Sequence, residues 1–261
     1  MKVALTFDVE SDFSLGKTFN NIQDSLPSIV RILNEEKIKS TFFVTGKVLE
    51  RFKGEILDLL QGHEIASHGY NHKRLDRLNR LNLENEINKS KIVFSEYGLE
   101  PKGFRAPKLC VNKKILNLVS NYYRYDSSIV PSAIPFRYFN LFKKRNPHEI
   151  KKGLIEIPVG TLNFLRIPAN SSWMFLIGKR YLDFLEFFGH PEIFVTLFHS
   201  FDFINYRPPK TLPLYKDKFY YSKLGTNKIN FLKELIEFFK KKRCEFSTCE
   251  EIYNFTIPSH K

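Results

Sequence analysis

The chain has 261 residues, 43% of them hydrophobic and 26% charged, proportions of a globular protein whose core needs neither a disulfide frame nor a structural metal. They exclude a disordered or low-complexity chain. A balance of 41 Lys and Arg against 28 Asp and Glu leaves a net charge of +13, which points to an acidic substrate or an anionic membrane surface, unless it only keeps lysine on exposed faces.

The first predicted element is a short buried strand at 3–7 that runs into the acids Asp8 and Glu10. Acids this early are not expected of a secretory signal, and no later stretch reaches the roughly 18 apolar residues that span a bilayer. The expectation is a cytoplasmic protein, peripheral at the inner membrane face at most. Residues 24–37 carry Leu26, Ile29, Val30 and Leu33 at helical spacing, with Asp24 or Ser25 as the cap. Thr41–Val44 is β-branched and aromatic, hence a strand, and 47–60 reads as a helix closed by Gly62. A strand at 63–66, an amphipathic helix at 80–97, a strand end at 103–106 and a helix at 112–121 follow. Later strands are predicted at 122–126, 154–159 and 193–198, and a final helix at 227–242.

Strand and helix alternating this often predict an α/β protein with a parallel sheet or barrel. No repeat or Gly/Ser linker interrupts the pattern, so residues 1–261 are read as a single domain, with long loops around 127–175 over one face. Residues 161–188 mix Phe164, Trp173, Phe175, Phe184, Phe187 and Phe188 with Arg166, Lys179 and Arg180. They read as a buried helix with a basic rim or, more sharply, as a patch facing lipid or a partner. The three cysteines, Cys110, Cys244 and Cys249, are read as reduced thiols. Without an Arg-rich arm, an RNP-like strand or zinc-finger spacing, nucleic acid is not expected as a partner.

Chemistry concentrates at two strand ends. In Ser67-His68-Gly69-Tyr70-Asn71-His72 the two histidines are four apart and can converge on one cation if the segment is helical or tightly turned. Asp8 and Glu10 alternate along an extended chain, so both carboxylates share a face. One carboxylate with two histidines makes a set for a catalytic zinc or a related divalent ion, and the second carboxylate is then free to act as a base. His63 reads as a strand histidine satisfied by its surroundings, and His148, His190 and His260 carry no assignment.

At these residues the chain resembles the polysaccharide deacetylases, the NodB-homology or carbohydrate esterase family 4 domain. The resemblance is carried by Thr6-Phe-Asp-Val-Glu10, Ser40-Thr-Phe-Phe-Val44, Gly62-His-Glu-Ile-Ala-Ser-His-Gly-Tyr-Asn-His72, Phe104-Arg-Ala-Pro107, Tyr125-Asp-Ser-Ser128 and Leu197-Phe-His199, in the family's order over about 200 residues. It implies a distorted (β/α) barrel of about seven strands and a hydrolase of carbon–nitrogen bonds other than peptide bonds. The implied reaction is the metal-dependent removal of an N-acyl group, most often acetyl, from an amino sugar of a surface glycan or its precursor.

Carried over residue by residue, the resemblance implies one divalent metal ion, with zinc expected, held by Glu10, His68 and His72. Asp8 would be the general base, Arg105 its partner, His199 the general acid, and Asp126 the carboxylate that raises the basicity of His199 or lines the sugar pocket. The chain departs from the family in having Asp8-Val9-Glu10 in place of adjacent aspartates, which leaves the two acids open to exchange of roles and makes Asp12 a reserve ligand. Its single tryptophan, Trp173, lies outside every motif. The substrates that fit a cytoplasmic enzyme are a lipid-linked saccharide, a sugar nucleotide or a free oligosaccharide, with peripheral contact to an anionic membrane surface. The rival readings are a hydrolase of a small linear or cyclic amide and a catalytically silent module that binds glycan or membrane.

Overall fold

The computed structural model describes residues 1–14, 17–132, 140–204 and 228–257. In chain order the described strands are β1 (Lys2–Ala4), β2 (Thr6–Val9), β3 (Thr41–Val44), β4 (Glu64–Ser67), β5 (Gly103–Phe104), β6 (Tyr125–Asp126), β7 (His148–Lys151), β8 (Leu154–Glu156), β9 (Ile193–Val195), β10 (Phe198–His199) and β11 (Glu245–Phe246). The described helices are α1 (Asn20–Gln23), α2 (Leu26–Glu35), α3 (Gly46–Arg51), α4 (Lys53–Leu59), α5 (Arg80–Glu96), α6 (Lys113–Val119), α7 (Ser171–Ile177), α8 (Arg180–Phe188), α9 (Lys228–Lys241) and α10 (Cys249–Thr256).

Seven strands run parallel in the order β10-β2-β3-β4-β5-β6-β8, and β7 extends the edge as an antiparallel hairpin with β8. The sheet curls until the chain beyond β8 returns to the first strands. Gly160 N–H donates to the Val195 carbonyl at 2.8 Å, and Asn170 bridges Leu197. This is the distorted barrel of about seven strands that the resemblance implies. β2 and β3 are buried along their whole length, as strands with both faces covered must be. Phe7 shows why. Its ring lies 5.2 Å from Phe42 and 5.6 Å from Phe198, in a core closed by Leu26, Ile29 and Leu33 of α2 and Leu232, Leu235 and Phe239 of α9.

The predicted strand at 3–7 is two strands. β1 lies between β9 and β11, whereas β2 lies between β10 and β3. The break falls at Leu5, opposite the break between β9 and β10 that splits the predicted strand at 193–198. There the Thr6 hydroxyl donates to the Thr196 carbonyl and the Thr196 hydroxyl to the Ala4 carbonyl, joining the backbone bond from the Thr196 N–H to the Ala4 carbonyl at 2.9 Å. The predicted helix at 47–60 is likewise two helices, α3 and α4, parted at Phe52 (φ −128, ψ 34), whose ring packs 5.7 Å from Phe19. Ser25 begins α2 without capping it, because its hydroxyl donates to the Ser200 carbonyl at 2.6 Å and ties the helix to the turn after β10. Gly103 admits no side chain: a Cβ there would stand 2.0 Å from Tyr125 Cζ.

The stretch 127–175 is less irregular than expected, since it holds β7, β8 and the start of α7. The predicted buried helix within 161–188 is the pair α7 and α8, and Phe164 and Phe187 are 78% and 82% exposed. Residue 227 of the predicted last helix, and His260, lie outside the described residues. Cys110, Cys244 and Cys249 form no disulfide among the described residues. No helix among the described residues is long and apolar enough to cross a membrane.

Candidate active site

The side chains singled out in the sequence gather at the carboxyl ends of the parallel strands, where barrels of this type place their chemistry. β2 carries Asp8 and leads to Glu10, β4 leads to His68, β5 to Arg105, β6 ends on Asp126 and β10 on His199. His72 is on the loop after β4 at φ 57, a left-handed turn that brings its ring to 5.0 Å from that of His68.

Glu10, His68 and His72 each offer one ligand atom, and those atoms lie within 4.8 Å of one another. The His72 Nδ1 is 2.7 Å from Glu10 Oε2. The His68 Nδ1 is 2.8 Å from the Arg105 carbonyl, and donation to that carbonyl leaves Nε2 as the nitrogen with a lone pair facing the cluster. Burial pulls the His68 pKa down to about 4, so the ring is neutral at ordinary pH. One ionised carboxylate and two imidazoles are a donor set that fits a divalent ion of the zinc type and leaves coordination positions open.

Asp8 stands beside this set. Arg105 is fully buried and reaches it through Nη1, 2.8 Å from Asp8 Oδ1 and 2.8 Å from Thr6 Oγ1. The rest of the guanidinium is fixed by Ser127, whose carbonyl accepts from Nε at 2.8 Å and whose hydroxyl accepts from Nη2 at 3.0 Å, and by the Phe43 ring at 3.9 Å. Burial favours the neutral acid at Asp8, but Arg105, His68 and His199 outweigh it and hold the carboxyl below its usual range. At Glu10 burial is outweighed in the same way, chiefly by His72. The second oxygen of Asp8 is 3.7 Å from His68 Nε2 and 4.0 Å from His199 Nε2, free of the arginine.

His199 is at the mouth, its side chain 25% exposed, with its ring stacked on Phe201 at 4.7 Å. Its carboxylate partner is Asp202 and not Asp126. Asp202 Oδ2 accepts from the His199 backbone N–H at 2.7 Å and lies 3.1 Å from Nδ1. The reason is local: His199 begins a 3-10 turn, Ser200–Phe203, so the residue three positions on folds back over it. Lys228 Nζ holds that turn from α9 through the Asp202 carbonyl at 2.6 Å. Burial works against charge on His199, but Asp202, with Asp8 and Glu10, raises its pKa to about 9.

Asp126 is turned the other way. It accepts from the Ser128 hydroxyl at 2.8 Å and from the Ser128 N–H at 3.2 Å, and it pairs across the sheet with Glu156 at the end of β8. Burial and the Asp126 charge push the Glu156 carboxyl well up, which favours its protonated form. Glu156 also accepts from the Ile129 N–H at 2.9 Å, and the pair thereby holds the 127–129 turn on which Arg105 rests. Asp12 does not join the ligand set: its carboxylate accepts from the backbone N–H groups of Asn20 and Asn21, both at 2.9 Å, at the start of α1. His63 is only half satisfied: its Nδ1 accepts from the Ser40 N–H at 3.2 Å, while its buried Nε2 meets no hydrogen-bond partner among the described residues. Asp202 and Glu156 are the residues that sequence reasoning missed. An acid three residues after a strand-end histidine, and an acid inside the otherwise apolar start of the predicted strand at 154–159, were the available signals.

The model of the family described as polysaccharide deacetylase matches residues 1–124, which include Asp8, Glu10, His68, His72 and Arg105. Over 116 residues, 44% of the chain, the sequence is 30% identical to the peptidoglycan-N-acetylglucosamine deacetylase PgdA of Listeria monocytogenes, covering 23% of that protein. A peptidoglycan-N-acetylglucosamine deacetylase of Bacillus cereus is 31% identical over 108 residues, 41% of this chain and 36% of its own. The matched segment thus spans well under half the length of either relative. Among solved structures, Puue allantoinase superposes with a TM-score of 0.70 over 99% of this chain and 91% of its own, at 13% identity, a likeness of fold alone.

Proposed function

We propose, from the match of residues 1–124 to the polysaccharide deacetylase family, that the protein is a metal-dependent hydrolase of that family that removes the N-acetyl group from an amino sugar of a glycan or its precursor. The observation that carries the reading is the flanking of the Glu10, His68 and His72 set by an ionised carboxylate on Asp8 and a protonated imidazole on His199. A divalent ion held by that set would polarise the amide carbonyl and acidify the attacking water. Asp8 takes the proton from that water on the oxygen that Arg105 leaves free. His199 donates a proton to the departing amine nitrogen, and Asp202 keeps the imidazole charged and aimed. The products are acetate and the free amino sugar, with one water consumed.

The substrates named for the two relatives make N-acetylglucosamine the first amino sugar to test. Acetate release should be measured from N-acetylglucosamine oligosaccharides, an N-acetylated sugar nucleotide, lipid-linked N-acetylglucosamine and a small linear amide. Release from at least one amino sugar, abolished by a chelator and restored by zinc, is the expected result. Hydrolysis of the small amide alone, or binding of the sugars without release, overturns the reading.

Peripheral contact with an anionic membrane has its own support, at the other end of the barrel. α8 leads through Gly189 into the start of β9, so its last residues lie away from His199. There Phe164 stacks on Phe188 at 6.2 Å and Phe187 meets Phe188 at 4.9 Å. Arg145 and Lys242, the latter paired with Glu186, bring positive charge near His190 at this corner. Exposed aromatics among cations suit an anionic interface. The double variant Phe164→Asp/Phe187→Asp should lose co-sedimentation with phosphatidylglycerol vesicles that the wild type shows. Equal sedimentation of the two proteins, or none by the wild type, removes the membrane contact from the proposal.

A further inference from the structure

α5 flanks the two-histidine loop without contributing a ligand to it, yet it grips the loop at both ends. Ser90 Oγ is 2.8 Å from Ser67 Oγ, the side chain just before His68. One turn earlier on the same helix face, Glu86 is buried, and its Oε1 accepts from the backbone N–H of Asn71 and, at 3.5 Å, from that of Lys73. These are the two residues on either side of His72. His72 occupies the left-handed region at φ 57, which a non-glycine residue adopts only when its surroundings impose it. The loop enters that turn through Gly69 at φ 72, where a Cβ would stand 3.3 Å from Pro107 Cγ and 3.7 Å from Glu86 Oε1. The loop is therefore pressed between α5 and the turn after Arg105.

We propose that Glu86 is a positioning residue for the ligand set: its carboxylate clamps the peptides flanking His72, imposes the left-handed turn, and so brings the imidazole beside His68 with Nδ1 on Glu10. A ligand whose backbone is held in an otherwise unfavourable conformation is ready for the ion before the ion arrives. The inference rests on reading Glu10, His68 and His72 as the metal site.

Zinc affinity of the wild type, Glu86→Ala, Glu86→Asp and Glu86→Gln should be measured by competition with a chromophoric chelator, and the visible absorption of their cobalt forms recorded. Glu86→Ala and Glu86→Asp, the latter too short to span both N–H groups, should lose roughly 10–100-fold in zinc affinity and show an altered cobalt spectrum. Glu86→Gln keeps a carbonyl oxygen as acceptor and should stay within a few-fold of wild type with its spectrum unchanged, a rescue that a general loss of stability would not give. Where Glu86→Ala does not fold, Glu86→Asp decides. Wild-type affinity and spectrum in whichever of the two is folded overturn the inference alone, and so does equal loss in Glu86→Gln. A wild-type protein that takes up no zinc overturns the metal reading, and the inference falls with it.

Discussion

Asp8→Asn is expected to bind zinc as the wild type does and to lose roughly 10²–10⁴-fold in turnover, the scale of a lost general base. The asparagine can still accept from Arg105 through its carbonyl oxygen, so the fully buried guanidinium keeps a partner where Asp8 Oδ1 now stands at 2.8 Å. What disappears is the second oxygen, 3.7 Å from His68 Nε2 and 4.0 Å from His199 Nε2, the only part of the carboxylate free to take a proton. Glu10→Gln should behave in the opposite way and weaken zinc binding, since Glu10 shares the cluster with both histidines. The pair of variants is read by metal content and turnover together. If Asp8→Asn empties the site while Glu10→Gln stays loaded, the two acids have exchanged roles.

That exchange is a live question because the sequence has Asp8-Val9-Glu10, and alternation along a strand places both carboxylates on one face without ranking them. The geometry ranks them through their neighbours: Arg105 occupies Asp8, and His72 meets Glu10. Residues whose position follows from a strand end were legible. Asp8, His68, Arg105 and His199 each close a short apolar run, and parallel strands bring such ends to one mouth. Partnerships made after the chain has turned were not. Asp202 reaches His199 through a 3-10 turn, a geometry too short to leave a periodic signal, and Asp126 was instead claimed across the sheet by Glu156.

The fold divides along the same line. Helix α5 was predicted almost to the residue because Leu83, Ile87, Val93 and Phe94 recur at helical spacing on its buried face. The breaks at Leu5 and between β9 and β10 escaped because they depend on Thr6 meeting Thr196, 190 residues away in the chain. One miss was avoidable. Thr248 and Glu251 form a capping box at the start of α10, and Thr-x-x-Glu ahead of an apolar turn is a local signal.

The pH dependence of turnover isolates the role of His199. The pair with Asp202 raises its pKa from an ordinary 6.5 to about 9. The imidazolium needed to protonate a departing amine is therefore present at neutral pH and is lost as pH rises toward 9. The stability contributed by the ion pair follows the same sign: it is complete below about 6.5 and disappears as pH rises through the folded-state value. A divalent ion in the neighbouring ligand set opposes the positive ring, so the alkaline limb of the loaded enzyme should fall somewhat below 9. Asp202 still holds the proton, being the nearest carboxylate at 3.1 Å. Asp202→Asn should then move the limb down toward the ordinary histidine value. His199→Ala should abolish the limb, keep zinc, and cut amide hydrolysis by roughly 10²–10⁴-fold. An activated ester of the same sugar, whose leaving group departs without a proton, should be far less affected. If amide and ester turnover fall by the same factor in His199→Ala, the ring stabilises the developing oxyanion instead. If the alkaline limb does not move in Asp202→Asn, the proton is held by Asp8 and Glu10, and Asp202 serves only to fold the turn.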